Sequence, residues 1–204
     1  MKLLELFAGS RSLGKVADKL NYEVFSSDFE AFEGIDYQVD ILEFDVSKVP
    51  FKPDIIWASP PCTGFSVAAI GHHWGGGKGA YIPKTDTAKL GIELVKKTLE
   101  IIDYFKPKYW FIENPRGVLR KLDIVKHLPR KSVTYCQYGD DRMKPTDIWT
   151  NSESWFPRPM CKNGDPCHVS APRGSRTGTQ GLSNAYERSK IPEQLCLEIL
   201  QSCI

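Results

Sequence analysis

The sequence predicts an α/β fold of the Rossmann-like type, with a mostly parallel central sheet, flanking helices and a C-terminal hairpin. Short apolar runs alternate along the chain with segments whose apolar residues recur at helical spacing. Several runs end directly in a glycine-containing turn, an acid or a cysteine, and open α/β sheets bind ligands at that end of their strands. The length of 204 residues and the hydrophobic fraction of 41% suffice for one domain with a sizeable core.

Charge and cysteine content narrow the function classes. The formal net charge of +2 gives no global basic field, so a nucleic-acid enzyme must place its positive charge locally. The six cysteines are scattered through a chain in which we find no export signal and no apolar run of membrane-spanning length. We therefore expect reduced thiols, a cytoplasmic protein and no membrane partner.

The first predicted unit is a strand over residues 2–8, a small-residue turn over residues 9–14 and a helix. Such a unit brings backbone N–H groups and a helix N-terminus to a ligand. Residues 23–28 predict a second strand that ends in Asp28. An acid at this point binds ribose hydroxyls in many α/β folds, and a turn or helix cap is the alternative.

A third short strand is predicted over residues 37–41, and a buried strand over residues 54–58 leads to Cys62. Pro60 and Pro61 hold this cysteine on a stiff turn. A thiol beside a turn or helix start often has a lowered pKa, which makes it a nucleophile. A buried, inert cysteine is the alternative.

Residues 67–84 predict a flexible glycine-rich loop beside this cysteine. The loop offers Trp74 and Tyr81 as stacking faces, and two pairs of basic residues make it locally positive: His72, His73, Lys78 and Lys84. A lid that closes on a nucleic-acid strand has this composition. An exposed loop without a function is the alternative.

A long helix that Thr85 or Asp86 can cap leads to a buried strand over residues 109–112, which ends in Glu113. The apolar face of the helix is expected at Leu90, Leu94, Ile101 and Phe105. Glu113 and Cys62 should lie at the same edge of one sheet. A carboxylate beside a thiolate is costly unless the carboxyl is protonated or faces a substrate, so the pair indicates a functional site.

The last third of the chain predicts a β-hairpin over residues 132–150, with Arg142 and Lys144 near its second arm. Residues 152–190 lack apolar periodicity and either track a phosphate backbone or form a solvated loop. A helix over residues 191–204 should pack on the sheet through Leu195, Ile199 and Leu200. The basic residues within residues 152–190 are Arg158, Lys162, Arg173, Arg176, Arg188 and Lys190.

Three residues in this segment have the spacing of an incomplete zinc site. Cys161, Cys167 and His168 would need one further ligand, from Cys136 or another residue. We assign no metal to the protein from the sequence.

Together these motifs resemble, in their order and over most of the chain, the motifs of the cytosine-5 DNA methyltransferase family. Residues 61–66, Pro-Cys-Thr-Gly-Phe-Ser, look like the nucleophile loop of that family. Glu113 and Asn114 match its Glu-Asn motif, and residues 142–144, Arg-Met-Lys, are similar to the basic motif that supports the target base. The resemblance implies a methyltransferase fold, S-adenosyl-L-methionine as cofactor and DNA, with its target cytosine flipped out, as partner.

The resemblance also implies the roles of individual residues. It makes residues 1–151 the catalytic domain, residues 152–190 a reduced DNA-recognition region and residues 191–204 the helix that completes the cofactor pocket. The implied catalytic residues are Cys62, Glu113 and Arg142. The implied cofactor-binding residues are Phe7, Ala8, Gly9, Ser10, Asp28, Phe29, Asp40, Ile41 and Pro60. The implied substrate-binding residues are Pro61, Ser66, Asn114 and Lys144.

The chain departs from the family pattern in three places. Arg11 and Ser12 stand where a glycine pair is usual, and Lys144 stands where a second arginine is usual. The chain also has no room for a large target-recognition domain, so residues 152–190 or a partner subunit must serve instead. The small size favours a mobile-element, phage or orphan enzyme, in the cytoplasm of a bacterial, archaeal or phage-infected cell.

Three other functions remain open from the sequence. Ser59, Pro60 and Pro61 also resemble a cytosine-N4 methyltransferase motif, although Cys62 stands in place of its aromatic residue. A tRNA cytosine-5 methyltransferase would use the same cysteine chemistry. A catalytically inactive nucleic-acid-binding subunit is the alternative that is not an enzyme.

Overall fold

We describe a computed structural model of the chain over residues 1–77, 79–170 and 184–204. Nine strands and five helices are assigned in these ranges. The strands are β1 (Lys2–Leu6), β2 (Glu23–Asp28), β3 (Tyr37–Gln38), β4 (Ile55–Ala58), β5 (Trp74–Gly75), β6 (Ile82–Pro83), β7 (Tyr109–Pro115), β8 (Arg130–Thr134) and β9 (Pro145–Thr150). The helices are α1 (Ser12–Lys19), α2 (Ile70–His73), α3 (Asp86–Phe105), α4 (Ala185–Ser189) and α5 (Glu193–Gln201).

Seven of the strands form one sheet in the order β3-β2-β1-β4-β7-β9-β8. The five strands from β3 to β7 are parallel, and β9 runs antiparallel to both of its neighbours. This topology confirms the predicted Rossmann-like α/β fold with a hairpin near its C-terminal end. The chain moves outward from β1 and returns to β4, so the switch point between these strands is the expected place for a ligand.

Apolar side chains pack on both faces of the sheet. One core lies beneath α3, and the other lies beneath α1 and α5. Adjacent residues of β1 divide between them, because successive side chains of a strand point to opposite faces: Leu3 packs on one side and Leu4 on the other. The prediction for the last helix is confirmed, since Leu195, Ile199 and Leu200 are fully buried.

Helix α3 begins as predicted and buries most of the predicted face, with one exception. The Thr85 hydroxyl accepts a hydrogen bond from the N–H of Ala88 at 3.2 Å, which caps the first turn. The expected core position Leu90 is 49% exposed, so that assignment was wrong. Gly91 takes its place, because only the absence of a side chain lets the ring of Phe65 lie so close to the helix.

Two predicted segments have more local structure than expected. The glycine-rich stretch contains α2 and the two-stranded β5–β6 hairpin. The third strand stops at Gln38, and Asp40 then caps a 3₁₀ helix at Ile41–Glu43 by accepting from the N–H of Leu42 at 3.0 Å. Within the described ranges, no helix has the length and apolar character needed to cross a membrane.

Candidate active site

The residues with reactive side chains converge at the carboxyl ends of β4 and β7. These parallel strands are neighbours, with Ala58 opposite Ile112. The next residue of β7 is Glu113, and the loop after β4 carries Cys62. The structure therefore brings together the thiol and the carboxyl, as the strand pattern predicted.

The loop that carries Cys62 is held from three sides. The buried amide of Asn114 donates to the carbonyl of Pro60 at 2.8 Å, and the indole of Trp74 donates to the carbonyl of Gly64 at 2.7 Å. A side chain at Gly117 would collide with the backbone carbonyl of the loop residue Phe65. Asn114, predicted to bind substrate, thus supports the backbone of the nucleophile loop.

Glu113 belongs to a buried network that the sequence did not reveal. The hydroxyl of Tyr135 donates to Oε1 of Glu113 at 2.9 Å. Nζ of Lys144 lies 4.5 Å from the centroid of the Tyr135 ring and donates to the carbonyl of Arg188 at 2.9 Å. Glu113, Tyr135 and Lys144 are all buried, so each charge in this group acts with little screening by water.

Burial controls the protonation of this group. One side of Cys62 is open to solvent, but the protein around its sulfur raises the pKa of the thiol, and Glu113 raises it further. Burial also raises the pKa of Glu113, which favours a protonated carboxyl, while Lys144 opposes both shifts. The expectation of a lowered thiol pKa was wrong for the free protein, because desolvation outweighs the effect of the turn.

Arg142 and Lys144 occupy different surroundings. The guanidinium of Arg142 donates to both carboxylate oxygens of Asp140, at 2.8 and 2.5 Å, and its third nitrogen faces the carbonyls of Glu187 and Arg188. Lys144 is the cation whose charge acts on both Cys62 and Glu113. Arg142, predicted to be catalytic, therefore holds the loop that contains Asp140 against residues 187 and 188. Lys144, predicted to bind substrate, is the residue whose charge acts on the thiol and the carboxyl.

The turn after β1 has an unusual backbone. Phe7, Gly9 and Arg11 all have positive φ, of 54°, 49° and 53°. Two contacts compensate for the strained conformation of Arg11: Nε donates to the hydroxyl of Ser26 at 3.0 Å, and Nη2 pairs with Asp18 at 3.2 Å.

One of the predicted cofactor residues outside this turn, Asp28, contacts it directly. Oδ2 of Asp28 accepts from the N–H of Gly9 at 2.8 Å, which joins the turn to the end of β2. Phe29, the next residue, is 68% exposed. Ala8, Ser10, Ile41 and Pro60 are buried, and Asp40 is exposed at its 3₁₀ cap.

Glu5 is a second buried carboxyl that sequence reasoning missed. Its Oε1 accepts from the N–H groups of Leu13 and Gly14, both at 3.2 Å, and its Oε2 accepts from Ser26 at 3.1 Å. Burial raises the pKa of Glu5 to about 7. The carboxyl therefore caps the first turn of α1 from inside β1, and the single acid within the apolar run of that strand was its only signal.

The glycine-rich stretch is held by several hydrogen bonds, and it exposes apolar side chains that were not predicted to be functional. Trp74, predicted to offer a stacking face, is buried and stacks on Phe65, so that prediction was wrong. Val67, Ile70 and Ile82 are exposed instead and form an apolar surface beside the Cys62 loop. Lys78, predicted to add charge here, lies outside the described residues.

The basic segment after β9 supplies less free charge than predicted. Arg158 forms an ion pair with Glu198 of α5 and donates to the carbonyl of Gln137, so it holds the segment to the protein. Lys190 pairs with Glu187 at 2.8 Å. Arg173 and Arg176 lie outside the described residues, whereas Lys162 is exposed. In the Cys62 loop, Pro61 is exposed and Ser66 is half-buried.

This fold and site define a class of protein, an α/β enzyme of the methyltransferase type with a thiol in the loop after one strand and a buried carboxyl on the neighbouring strand. The sequence model of the C-5 cytosine-specific DNA methylase family matches residues 1–128. A "Probable DNA (cytosine-5)-methyltransferase" of Frog virus 3 (isolate Goorha) is 30% identical over 220 residues and covers 100% of both chains. The chain therefore belongs to the C-5 cytosine-specific DNA methylase family, and its enzyme class is DNA (cytosine-5)-methyltransferase.

A solved structure supports the fold independently. It is described as a DNA modification methyltransferase encoded within a prophage (E. coli), and it matches with a TM-score of 0.54 at 14% identity. The match covers 80% of this chain and 52% of that chain, so this chain spans about half the length of the solved structure. At this identity the likeness concerns the fold alone. The family model and the curated relative confirm the resemblance drawn from the motifs.

Proposed function

We propose that the protein transfers a methyl group from S-adenosyl-L-methionine to carbon 5 of cytosine in DNA, through a covalent bond between Cys62 and carbon 6. One observation carries the proposal: Cys62 and Glu113 lie at the ends of adjacent parallel strands, and the charge of Lys144 acts on both. Family membership supports the base and the position of methylation.

The residues at the switch point suit S-adenosyl-L-methionine. Asp28 places a carboxylate at the end of β2, where it can bind ribose hydroxyls, and the exposed ring of Phe29 offers an apolar face for a purine. The positive φ of Gly9 is a conformation that glycine adopts freely, and it leaves this turn without a side chain at that point. When bound, the cofactor supplies a methyl group that is electrophilic because its sulfur is positively charged.

Cys62 supplies the electrons that activate the base. Its thiolate adds to carbon 6 of cytosine, which forms a carbon–sulfur bond and moves the ring's electrons toward nitrogen 3 and carbon 5. Carbon 5 then takes up the methyl group. Removal of the carbon 5 proton by a base expels the thiolate, so Cys62 is regenerated.

Glu113 and Lys144 stabilise the charge that this addition creates. A protonated Glu113 donates to nitrogen 3 as negative charge develops there, and burial keeps the carboxyl in the required form. Lys144 favours the thiolate and offers an N–H donor to the ring carbonyl. Arg142 positions Lys144, because its carbonyl contacts with Glu187 and Arg188 fix the same stretch of chain that Lys144 touches.

The surface around Cys62 suits a DNA strand with one base extruded. The exposed apolar residues Val67 and Ile70 adjoin a groove that also contains Arg116 and Lys121. Apolar side chains inserted into a base stack help to hold a flipped base, and neighbouring cations bind phosphates. We place the enzyme in the cytoplasm of its host or virus-infected cell, and sequence recognition in residues 152–190 or a partner subunit.

The experiment is product analysis. Purified protein is incubated with labelled S-adenosyl-L-methionine and unmethylated genomic DNA, the DNA is digested and the labelled nucleoside is identified. We expect 5-methylcytosine, and we expect none from Cys62→Ala. Labelled N4-methylcytosine would contradict the proposed carbon 5 chemistry.

A parallel incubation with unmodified tRNA separates the remaining alternatives. Label in tRNA but not in DNA would show the same chemistry on a different substrate. Binding of DNA without label in either nucleic acid would indicate an inactive binding subunit. The buried Glu113–Tyr135–Lys144 network favours the active enzyme, because burying such charges costs free energy that a binding subunit has no need to spend.

A further inference from the structure

Three cysteines and one histidine converge beside β8, the edge strand of the main sheet. Cys136 follows this strand, whereas the other three residues come from the segment after β9. One ligand atom from each residue, three sulfurs and an imidazole nitrogen, lies within 4.8 Å of the others. We call this group the thiol cluster, and it consists of Cys136, Cys161, Cys167 and His168.

Three of the six separations inside the thiol cluster match those of a small tetrahedral site, and all six are within 4.8 Å. The sulfur of Cys136 lies 3.0 Å from that of Cys161 and 3.6 Å from that of Cys167. Nδ1 of His168 lies 3.7 Å from the sulfur of Cys161 and 3.5 Å from that of Cys167. Zinc bonds of about 2.3 Å to sulfur and about 2.0 Å to nitrogen place tetrahedral ligands roughly 3.5–3.8 Å apart. Of these four pairs, only the sulfurs of Cys136 and Cys161, at 3.0 Å, must move apart to bind zinc.

We propose that the thiol cluster binds one structural zinc ion, with three thiolates and one neutral imidazole as its ligands. Binding releases the three thiol protons to water, and the site then carries a net charge of −1, with no change in oxidation state. Four protein ligands leave no open coordination position, so the metal stabilises the structure and takes no part in the methyl transfer.

Neighbouring groups hold the ligands in place. The side-chain amide of Gln137 donates to the sulfur of Cys167 at 3.4 Å, a contact that stabilises a thiolate. The N–H of Cys161 donates to the hydroxyl of Thr134 at 3.1 Å, which fixes this ligand to the end of β8. Asp165 accepts from the N–H of Lys162 at 2.7 Å, and this turn brings the last two ligands back toward the first.

The segment after β9 needs such a fastening. Trp155 is its one large apolar side chain that is buried in the described residues 152–170, so this segment has little core of its own. Small units without a core are commonly stabilised by metals. The N–H of Val169, directly after the cluster, donates to the carbonyl of Asp141 at 3.0 Å. The zinc would therefore secure the segment against the loop that also carries Arg142.

The test is the metal content of the full chain, purified without chelator after growth with added zinc. We expect one zinc per chain by mass spectrometry of the metal, and its loss from Cys161→Ser and Cys167→Ser. Cys62→Ser is the matched control, because it removes an exposed cysteine outside the thiol cluster and should keep the metal. Cobalt in place of zinc should give the visible absorption of a tetrahedral thiolate site.

Any one of three results would overturn the proposal. Metal-free protein with four titratable thiols in denaturant, in place of six, would show that Cys136 and Cys161 form a disulfide. Zinc retained by Cys167→Ser at one per chain would show adventitious binding. If the variants do not fold, the wild-type protein decides: chelation should expose residues 157–170 to protease, and zinc but not magnesium should restore protection. Unchanged proteolysis after complete zinc removal would also contradict the proposal.

Discussion

The edge of the sheet that carries Cys62 and the segment that follows β9 are organised by different means. At the sheet edge, strand pairing positions Cys62 and Glu113, and buried hydrogen bonds hold the surrounding loops. The later segment has one large buried apolar side chain in its described part, and it is held by ion pairs and the thiol cluster. The comparison shows that strand topology with a few buried hydrogen bonds positions Cys62 and Glu113, whereas the segment beyond the sheet depends on local side-chain contacts.

Loss of the nucleophile should produce the largest effect. We expect Cys62→Ser to lower the methyl-transfer rate by about 10³-fold or more, because a serine hydroxyl is a far poorer nucleophile than a thiolate. The side chain is exposed, so the free energy of unfolding should change by less than about 1 kcal/mol. Rate assays check the predicted loss of activity, and denaturant unfolding checks the predicted stability. A fully active Cys62→Ser variant would contradict the assignment of Cys62 as the nucleophile.

Glu5 tests whether buried groups at the sheet edge carry a free-energy cost. Its pKa is raised from 4.5 to about 7 in the fold, so between these pH values the folded protein binds a proton that the unfolded chain has released. The stability that the raised pKa of Glu5 contributes is therefore fully present below pH 4.5, and it is lost as the pH rises through about 7. The fall amounts to roughly 3 kcal/mol.

Glu5→Gln removes this titration but keeps an oxygen for the N–H groups of Leu13 and Gly14. Denaturant unfolding across this pH range should show a flatter pH dependence than in the wild type. Glu93→Gln, an exposed change on α3, is the control and should keep the wild-type slope. An unaltered slope in Glu5→Gln would contradict the assignment.

Lys144 separates the predicted roles of the two basic residues. Because Lys144 lowers the pKa of Cys62 against the effect of burial, Lys144→Met should raise that pKa further. The rate should fall by about 10²-fold, and the acid limb of the pH–rate profile should move to higher pH. Lys89→Met, an exposed lysine on α3, should leave both unchanged. A lower rate with an unmoved profile would assign Lys144 a purely structural role.

Arg158 tests the other side of the comparison and should give the smallest effect. Its ion pair with Glu198 is partly exposed, so Arg158→Gln should cost at most about 1 kcal/mol of stability. The salt dependence of DNA binding should not change, because Arg158 is engaged within the protein. Lys162→Gln is the contrasting variant, because Lys162 is an exposed lysine of the segment that we propose contacts DNA. Its loss should reduce the salt slope by about one. A reduced salt slope in Arg158→Gln with an unchanged slope in Lys162→Gln would indicate that Arg158, and not Lys162, contacts the phosphates.

Residues whose position follows from strand order were predictable from the sequence. Cys62 and Glu113 each follow an apolar run, and neighbouring parallel strands necessarily end at one edge. Asp28 was placed at the end of β2 by the same argument.

Residues whose position depends on side-chain packing were not predictable. The hydroxyl of Tyr135 reaches Glu113 only after the hairpin folds back on β7, and no local pattern marks that contact. Arg142 was predicted to act on the base, but Asp140, two residues earlier, takes its guanidinium. Leu90 was predicted to be buried from helical spacing, but at that turn of α3 the neighbouring Gly91 packs against the ring of Phe65.

The formation of a covalent adduct tests the central claim most directly. The protein is incubated with S-adenosyl-L-methionine and DNA that contains 5-fluorocytosine, whose carbon 5 cannot release the atom that must leave. Mass spectrometry of the digested complex should find the base attached to the peptide that contains Cys62, and Cys62→Ala should give no adduct. Production of 5-methylcytosine from ordinary DNA without any such adduct would contradict the assignment of Cys62 as the nucleophile.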